Sequence, residues 1–317
     1  MQELLKRANQ FDAASFRDLH VILDALPIAL SWATLPDGKI QFVNRAFMRL
    51  FGYEEKHFAT VDQWIAEVYE SKLEQTAARR RWAALWQGRQ SGVQEIEPHE
   101  IRVRCAGGLF RTTQHRGMLL WDIGIGVATF EDISDRKLAE DAMRRIAFED
   151  PLTELANRRA LQDRWQIEVG CRSKTQPSTM AVILVDLDGF KPVNDQLGHE
   201  AGDEILKMVA AKLRESVRDT DLVGRVGGDE FMVLLSRLPD AGEAEAVCRR
   251  IHEALATPFR YEGTNLSIGS SLGISLYPQD GQTLQALMRH ADQALYRRKK
   301  TGCGGWEWFV NPCCLTG

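Results

Sequence analysis

The stretch Arg225-Val226-Gly227-Gly228-Asp229-Glu230-Phe231 lies between two apolar runs, Leu222-Val223 before it and Met232-Val233-Leu234-Leu235 after it. This pattern predicts a β-hairpin with Gly-Gly-Asp-Glu at its tip. Neighbouring side chains of a regular strand point to opposite faces, so the two carboxylates can converge on one site only at a turn. The glycines permit a tight turn and leave room for a ligand beside the main chain. Such a carboxylate pair suits a hard cation such as Mg²⁺, although an isolated acidic turn is more often merely solvated.

A second acidic segment upstream favours a cation site over a solvated acidic turn. The apolar run Ala181–Val185 predicts a buried strand, and it leads directly into Asp186-Leu187-Asp188. An aspartate at the end of a core strand is costly to desolvate unless it is paired or bound to a metal. Asp186 is therefore predicted to be a third carboxylate for the same cation, whereas Asp188 is expected to cap the helix that follows.

Together these segments resemble the GGDEF-family diguanylate cyclases, which condense two GTP into cyclic di-GMP. The likeness covers about residues 148–310, in family order and at family spacing. The segments that carry it are Asp150–Arg159, Asp186–Asp203, Gly227–Phe231, Ser271–Gly281 and Ala291–Lys299. The resemblance implies an α/β (α+β) domain similar to nucleotidyl cyclase and polymerase palm domains, in which helices surround a mostly antiparallel sheet. Three of its helices are expected at Gly202–Val217, Ala241–Leu255 and Thr283–Lys300.

The resemblance also implies a role for each residue that matches the family's site. Two Mg²⁺ ions per active site, or Mn²⁺, would be held by Asp186, the Leu187 carbonyl, Asp229 and Glu230. The implied catalytic residues are Asp229, Glu230 and Lys191. The implied GTP contacts are Asp188, Gly189, Phe190, Lys191, Asn194, Asp203, Gly227, Gly228 and Lys299. Among these, Asn194 and Asp203 would read the guanine edge, and backbone N–H groups of residues 188–190 suit phosphate oxygens.

Two positions depart from the family pattern. Cys303 stands where the family usually has a basic phosphate-binding residue, a loss for which Arg298 or Lys300 would have to compensate, and Glu154 stands where glycine is common. The alternative to an active cyclase is therefore a catalytically weak module that acts as a receptor for GTP or cyclic di-GMP. Glu253-Ala254-Leu255 spells a phosphodiesterase motif, but the chain has no room for the large barrel of such enzymes, so we interpret it as coincidence.

Regulation and assembly follow from the same resemblance. Arg218 and Asp221 lie at the register of the family's inhibitory Arg-x-x-Asp motif, which implies an allosteric site where cyclic di-GMP acts as product and inhibitor. One domain holds one GTP, and the product is a two-fold symmetric ring. A homodimer is therefore expected.

The first half of the chain resembles a PAS sensor domain, a small antiparallel sheet flanked by helices. A turn at Asp37-Gly38 is followed by the run Ile40–Val43 and then by Asn44, which is predicted to cap a helix. Further strands are expected near 95–105 and 109–118, and Met118–Phe130 is interpreted as one strand. The predicted divisions are an N-terminal helix (1–19), the PAS domain (20–133), a signalling helix (134–149) and the GGDEF domain (150–317).

The PAS ligand is unknown from the sequence. Five tryptophans could line a pocket, although aromatic residues in a small domain are more often core: Trp32, Trp64, Trp82, Trp86 and Trp121. Four histidines are expected at the surface rather than on a haem: His20, His57, His99 and His115.

Composition limits the class of protein. The 317 residues, 44% of them hydrophobic, are enough for two domains with proper cores. A net charge of −4 argues against nucleic acid as a partner. No run reaches the ~18 apolar residues of a membrane span, and the start has no secretory pattern, so a cytoplasmic protein is expected.

Overall fold

A computed structural model of the chain describes residues 16–85, 91–170 and 179–311. Two compact units are present, Met1–Glu140 and Asp141–Gly317. Residues 1–15 of the predicted N-terminal helix lie outside the described residues. None of the described helices is long and apolar enough to cross a membrane.

The first unit contains a five-stranded antiparallel sheet with the strand order β2-β1-β5-β4-β3. Its strands are β1 (Ala29–Thr34), β2 (Ile40–Val43), β3 (Val93–Arg104), β4 (Phe110–Leu120) and β5 (Ile125–Asp132). Its helices are α1 (Phe16–Ala25), α2 (Arg45–Phe51), α3 (Val61–Val68) and α4 (Lys72–Ala84), and α5 (Ser134–Phe148) begins within it. The flanked antiparallel sheet confirms the fold that was expected for a PAS domain.

Asn44 begins α2 as predicted. Its side-chain oxygen accepts from the Phe47 backbone N–H at 2.9 Å and from the Leu30 N–H at the same distance, so one buried amide joins the helix to β1. Phe47 and Phe51 on α2, Trp64 on α3 and Phe130 on β5 form an aromatic cluster with ring centroids 4.8–5.7 Å apart. This cluster packs the helices onto one face of the sheet.

Two expectations for the first unit are wrong. Met118–Phe130 is not one strand, because a 3₁₀ turn at Trp121–Ile123 followed by Gly124 at φ +67° separates β4 from β5. His115 does not lie on the surface, since its Nδ1 atom is buried on β4. Strand alternation turns that side chain inward, toward the aromatic cluster.

The second unit contains a five-stranded sheet with the order β12-β11-β6-β8-β7, antiparallel except for the β11–β12 pair. The strands are β6 (Thr179–Asp188), β7 (Leu222–Gly227), β8 (Glu230–Leu238), β11 (Gly269–Tyr277) and β12 (Gly305–Trp308), and β9 (Phe259–Tyr261) and β10 (Thr264–Leu266) form a separate hairpin. The helices are α6 (Arg158–Gly170), α7 (Phe190–Leu197), α8 (His199–Glu215), α9 (Ala241–Ala256) and α10 (Leu284–Thr301).

Strand β6 shows why this sheet is covered on both faces. Ala181, Ile183 and Val185 belong to the core cluster with α8 and α9, whereas Met180 and Val182 belong to the cluster with α6 and α10. All five side chains are at most 1% exposed. A continuous apolar run is what a strand buried on both faces requires. The mostly antiparallel sheet with helices around it confirms the predicted α/β (α+β) fold.

Candidate active site

The Gly-Gly-Asp-Glu segment forms the predicted hairpin tip. Strands β7 and β8 pair antiparallel, and Gly228 and Asp229 make the turn between them, with Gly228 at φ +49°. Glu230 is the first residue of β8 and lies directly opposite Asp186 in the β6–β8 ladder. The strand register therefore brings Asp186, Asp229 and Glu230 to one end of the sheet.

The hairpin tip is held in place by Arg225 on β7. Its Nε atom donates to the Gly228 carbonyl at 2.9 Å, and its Nη1 atom lies 3.1 Å from Asp150 Oδ1. The Arg225 and Asp150 side chains are only 14% and 16% exposed. This partly buried ion pair fixes the turn that carries Asp229. Sequence reasoning assigned no role to Arg225.

The carboxylates at this end of the sheet repel one another in a partly desolvated place. Burial is the largest cause that raises the pKa of Asp186, and the nearby Asp229 and Asp188 raise it further against the opposing effect of Lys299. The pKa of Glu230 is raised by burial first, then by Asp186, Asp229 and Asp292. A positive charge is what this arrangement favours.

Lys299 on α10 supplies such a charge, since its Nζ atom lies 2.5 Å from Asp186 Oδ1. Asp292 on the same helix is a further acid near the site that sequence reasoning missed. It lies seven residues before Lys299, close to two helical turns, which places both on one helix face. The seven-residue spacing from Lys299 was the sequence signal that could have placed Asp292 near the site.

The donor set fits a divalent cation, with one condition. In the described ranges, no group of three His, Cys, Asp or Glu side chains is arranged as a metal site. The carboxylate oxygens are nevertheless the ligands that Mg²⁺ and Mn²⁺ prefer. Lys299 would have to release Asp186 before that carboxylate could bind a cation. The Leu187 side chain is 3% exposed and belongs to the core, so only its carbonyl is available as the predicted ligand.

Asp188 does not cap helix α7, so that prediction is wrong. The N-cap residue is Gly189, at φ +83° and without a side-chain cap. Both carboxylate oxygens of Asp188 instead lie 2.9 Å from the Ser271 hydroxyl. Ser271 lies opposite Asp186 on β11, diagonal to Asp188 on the same face of the sheet, and such pairs cannot be read from local sequence. The same hydroxyl accepts from the Gly304 N–H at 3.1 Å.

The predicted phosphate-contacting residues surround this end of β6. Phe190 is 6% exposed and its ring belongs to the core, so only its backbone can face a ligand, while Lys191 is exposed. A Cβ added at Gly189, Gly227 or Gly228 would meet no described atom within 4 Å. The main chain is therefore open to close approach at all three glycines.

The two predicted guanine-reading residues lie close together. A Cβ added at Gly202 on α8 would lie 1.8 Å from Asn194 Oδ1, so the Asn194 side chain of α7 packs directly on that glycine. Asp203 is the next residue of α8 and is exposed. Gly202 was not predicted to matter. The sequence signal for its role was a glycine in the first turns of a helix, next to the predicted guanine contact Asp203.

Comparison with known proteins agrees with this geometry. The family model described as "Diguanylate cyclase, GGDEF domain" matches residues 147–304, and one described as "PAS domain" matches residues 16–86. A solved structure comprising only the GGDEF domain of PA1120 (TpbB or YfiN) from Pseudomonas aeruginosa is 35% identical, with a TM-score of 0.50. That match covers 53% of this chain and 99% of the other. The chain belongs to the GGDEF family.

Two curated relatives of this GGDEF chain are much longer proteins. Diguanylate cyclase DgcP of Pseudomonas aeruginosa is 41% identical over 161 residues, which cover 50% of this chain and 23% of DgcP. An uncharacterized signaling protein of Caulobacter vibrioides is 42% identical over 187 residues, 59% of this chain and 23% of that protein. The chain thus spans about a quarter of the length of these relatives.

The two departures from the GGDEF pattern have different structural consequences. Glu154 has φ +55°, a left-handed conformation that explains a glycine preference and costs a side chain roughly 1 kcal/mol. Cys303 is exposed, and the basic residues near it already have partners. Arg298 Nε donates to the Gly304 carbonyl at 2.5 Å, and Lys300 Nζ lies 4.5 Å from the centre of the Tyr296 ring.

Arg218 and Asp221, the two residues of the predicted inhibitory motif, form a single turn before β7. The Asp221 N–H donates to the Arg218 carbonyl at 2.9 Å, and an Asp221 carboxylate oxygen accepts from the Arg218 N–H at 3.2 Å. The Arg218 guanidinium pairs with Glu243 on α9. A ligand at this turn would compete with Glu243 for that guanidinium.

Proposed function

We propose that this chain is a diguanylate cyclase that converts two GTP into cyclic di-GMP and two pyrophosphates. The observation that carries the proposal is the ladder pair Asp186–Glu230 with Asp229 on the adjoining turn. It supplies three carboxylates at one sheet end, and Asn194 and Asp203 follow on the next two helices. The activity in the name of DgcP supports the proposal.

Each half-reaction forms one bond and breaks one. The 3′-oxygen of one GTP attacks the α-phosphorus of another, the bond from that phosphorus to the bridging oxygen breaks, and pyrophosphate leaves. Asp229 takes the hydroxyl proton, for which its place on the turn beside open glycines is suited. Lys191 and Lys299 neutralise charge on the phosphates. Bound Mg²⁺ or Mn²⁺, two per site, would lower the pKa of the attacking hydroxyl and stabilise the leaving oxygen.

Selectivity for GTP follows from hydrogen-bond polarity. The Asp203 carboxylate accepts from guanine N1–H and the exocyclic amine, and Asn194 offers both a donor and an acceptor. Adenine has no N1–H donor, so it leaves the carboxylate unpaired. A site that recognises its substrate by hydrogen bonds strongly rejects an analogue that lacks the matching hydrogen-bonding groups. GTP as substrate also agrees with the cytoplasmic location that the sequence predicts.

Assembly and regulation belong to the same proposal. The second units of two copies of the chain must face each other to form a two-fold symmetric product, so the working form is a homodimer. Leu138, Met143 and Ile146 on α5 are 68%, 71% and 81% exposed, and these apolar side chains suit a helical seam between two copies. The PAS unit controls the rate through this helix. Cyclic di-GMP inhibits by binding Arg218 and Asp221.

The test is to incubate the purified chain with GTP and Mg²⁺ and to quantify cyclic di-GMP by mass spectrometry. Asp229→Asn and Glu230→Gln should each lower the yield at least a hundredfold, a typical loss for a group that acts in proton transfer or charge stabilisation. Glu253→Gln is the matched control, because Glu253 is exposed on α9 outside the site. Full activity in Asp229→Asn would overturn the proposal.

The alternative is a receptor that binds GTP or cyclic di-GMP without turning it over. Two features favour it: Cys303 stands in place of a basic residue, and Asp186 pairs with Lys299, so that less positive charge is offered to a triphosphate. Nucleotide binding without product, in the dimer and with either cation, would establish the receptor and reject the cyclase. The Glu253-Ala254-Leu255 motif itself does not support a phosphodiesterase, since it lies in the last turns of α9 with Leu255 buried.

A further inference from the structure

Strand β11 presents a row of small residues to helix α10. Ser271, Gly273 and Ser275 lie two positions apart on this strand, so they point to the same face of the sheet. The Ser275 hydroxyl donates to the Leu287 carbonyl, in the first turn of α10, at 2.9 Å. A Cβ added at Gly273 would lie 2.0 Å from the Ala291 carbonyl oxygen. The helix therefore lies directly on the strand and follows it towards the candidate active site.

Ser271 is the residue of this row that lies at the candidate active site. Its ladder partner on β6 is Asp186, and its side chain is 0% exposed. The hydroxyl donates to the Asp188 carboxylate, whose two oxygens both lie at 2.9 Å, and it accepts from the Gly304 N–H at 3.1 Å. A hydroxyl can make both bonds at once, because it has one donor and two lone pairs. Since Ser271 is fully buried, it can act on a ligand only through these two neighbours.

The two neighbours of Ser271 belong to two different sides of the site. Asp188 is the last residue of β6, directly before the glycine and the helix start whose backbone N–H groups suit phosphate oxygens. Gly304 is joined to the last turn of α10, because its carbonyl accepts from Arg298 Nε at 2.5 Å. The residue after Arg298 is Lys299, whose ammonium pairs with a site carboxylate. Ser271 thus connects the main-chain donors after β6 to the turn that carries the ammonium of α10.

We propose that Ser271 is a positioning residue for the triphosphate of the bound nucleotide. It holds the end of β6 and the end of α10 at a fixed separation, so that main-chain N–H groups and the Lys299 ammonium reach the same phosphate chain. Without its hydroxyl, the Asp188 carboxylate and the Gly304 N–H lose their shared partner, and the two sides are free to move apart. The inference rests on the proposed function, which places GTP at this end of the sheet.

The test measures displacement of the fluorescent nucleotide mant-GTP from the full chain, with excess Mg²⁺, by two unlabelled probes. Inorganic tripolyphosphate competes for the phosphate contacts, and guanosine competes for the base contacts. Ser271→Ala should weaken tripolyphosphate about tenfold, which is the loss expected when one hydrogen bond to a charged group is displaced. The affinity for guanosine should stay within about twofold, because its contacts lie on α7 and α8. A purely structural role would not change the ratio of the two affinities.

Ser275→Ala is the matched control. Ser275 is also 0% exposed on the same face of β11, and its hydroxyl also contacts α10, but at the opposite end of the helix. Both alanine variants should lower the free energy of unfolding of the second unit, measured by hydrogen exchange, by similar amounts. Ser275→Ala should leave the affinities for both probes unchanged. Ser271→Cys, whose thiol is a weak donor and a weak acceptor, should show a smaller loss of tripolyphosphate affinity and serves as the test if Ser271→Ala does not fold.

The outcomes separate this inference from the proposed function. If the unaltered chain binds mant-GTP and Ser271→Ala loses no more tripolyphosphate affinity than Ser275→Ala, the role of Ser271 is structural, and the inference fails while the proposed function stands. An equal loss for tripolyphosphate and guanosine would show that the whole site has lost its shape, which also overturns the inference. Failure of the unaltered chain to bind either mant-GTP or GTP would overturn both.

Discussion

Replacing Gly202 with alanine should damage GTP recognition without weakening the fold. Gly202 is the fourth residue of α8, and the Cβ of an alanine there would lie 1.8 Å from Asn194 Oδ1. Real Cβ atoms keep at least 3.0 Å from such a neighbour. The Asn194 amide must therefore rotate or retreat. The helix itself gains, because alanine is better than glycine in a helix interior by about 0.5–1 kcal/mol.

The expected size follows from the geometry of hydrogen bonds. A shift of roughly 1 Å takes a donor–acceptor pair from its usual ~2.9 Å to beyond hydrogen-bond range. Loss of one such contact to guanine costs about 1.4 kcal/mol, which is tenfold in affinity. The KM for GTP should therefore rise about tenfold, while kcat stays within about twofold because the contact is far from the reacting phosphate.

The assay is the initial rate of cyclic di-GMP formation over a range of GTP concentrations, with thermal unfolding measured beside it. Gly170→Ala is the matched control, since Gly170 is also helical and an added Cβ there meets no described atom within 4 Å. Gly202→Ala and Asn194→Ala should raise KM equally. The double variant should be no worse than either single one, because both remove the same contact.

An unchanged KM in Gly202→Ala, with Asn194→Ala still impaired, would show that Asn194 reads the base from a side-chain position that the glycine does not fix. An unchanged KM in both variants would remove Asn194 from the nucleotide site. A lower melting temperature in Gly202→Ala would show instead that the packing of α7 on α8 gives way, and the rise in KM would then have a different cause.

Three further outcomes are expected. Arg225→Met removes the partly buried partner of the Asp150 carboxylate. The free energy of unfolding of the second unit, measured by hydrogen exchange, should therefore fall by about 3–5 kcal/mol. A loss under 1 kcal/mol would show that solvent replaces the ion pair. The folded pKa of His115, about 4, lies below its unfolded value of 6.5, so this group's contribution to first-unit stability is complete above pH 6.5 and falls by about 3 kcal/mol as the pH drops to 4. Chemical denaturation at both pH values measures that fall, which His115→Phe should abolish. Gly273→Ala places a Cβ 2.0 Å from the Ala291 carbonyl oxygen. The free energy of unfolding of the second unit, measured by hydrogen exchange, should therefore fall by about 3 kcal/mol. An unchanged value would mean that α10 moves away freely.

The elements of the fold were largely predictable, because they depend on local periodicity. The apolar run around Ala181–Val185 and the helix Ala241–Leu255 appear almost where the patterns place them. The start of α8 differs: the prediction began at Gly202, but the helix begins at His199, directly after Gly198 at φ +85°. That glycine separates α7 from α8 by its backbone conformation, which the apolar pattern does not report.

The site was predictable in its carboxylates and not in the contacts that hold them. The hairpin signal is local, so Asp229 and Glu230 could be placed on a turn from sequence alone. Ser271 lies 83 positions from Asp188, and Asp150 lies 75 from Arg225, so pairs of this kind exist only once the sheet register is set. The same register made Asp188 a strand residue rather than a helix cap.

The Lys299–Asp186 pair connects the departure at Cys303 to the chemistry. Arg298 is engaged by a main-chain carbonyl and Lys300 lies over a ring, so the last turn of α10 offers Lys299 as the basic group within reach of the site carboxylates. Its ammonium relieves the repulsion between Asp186 and Glu230. A triphosphate that arrived with a cation would offer both partners a replacement, since the carboxylate would gain positive charge and the ammonium would gain phosphate oxygens. Because the two exchanges would compensate each other, we expect that a single lysine could serve where the GGDEF family usually has two basic residues, provided that nucleotide and cation bind together.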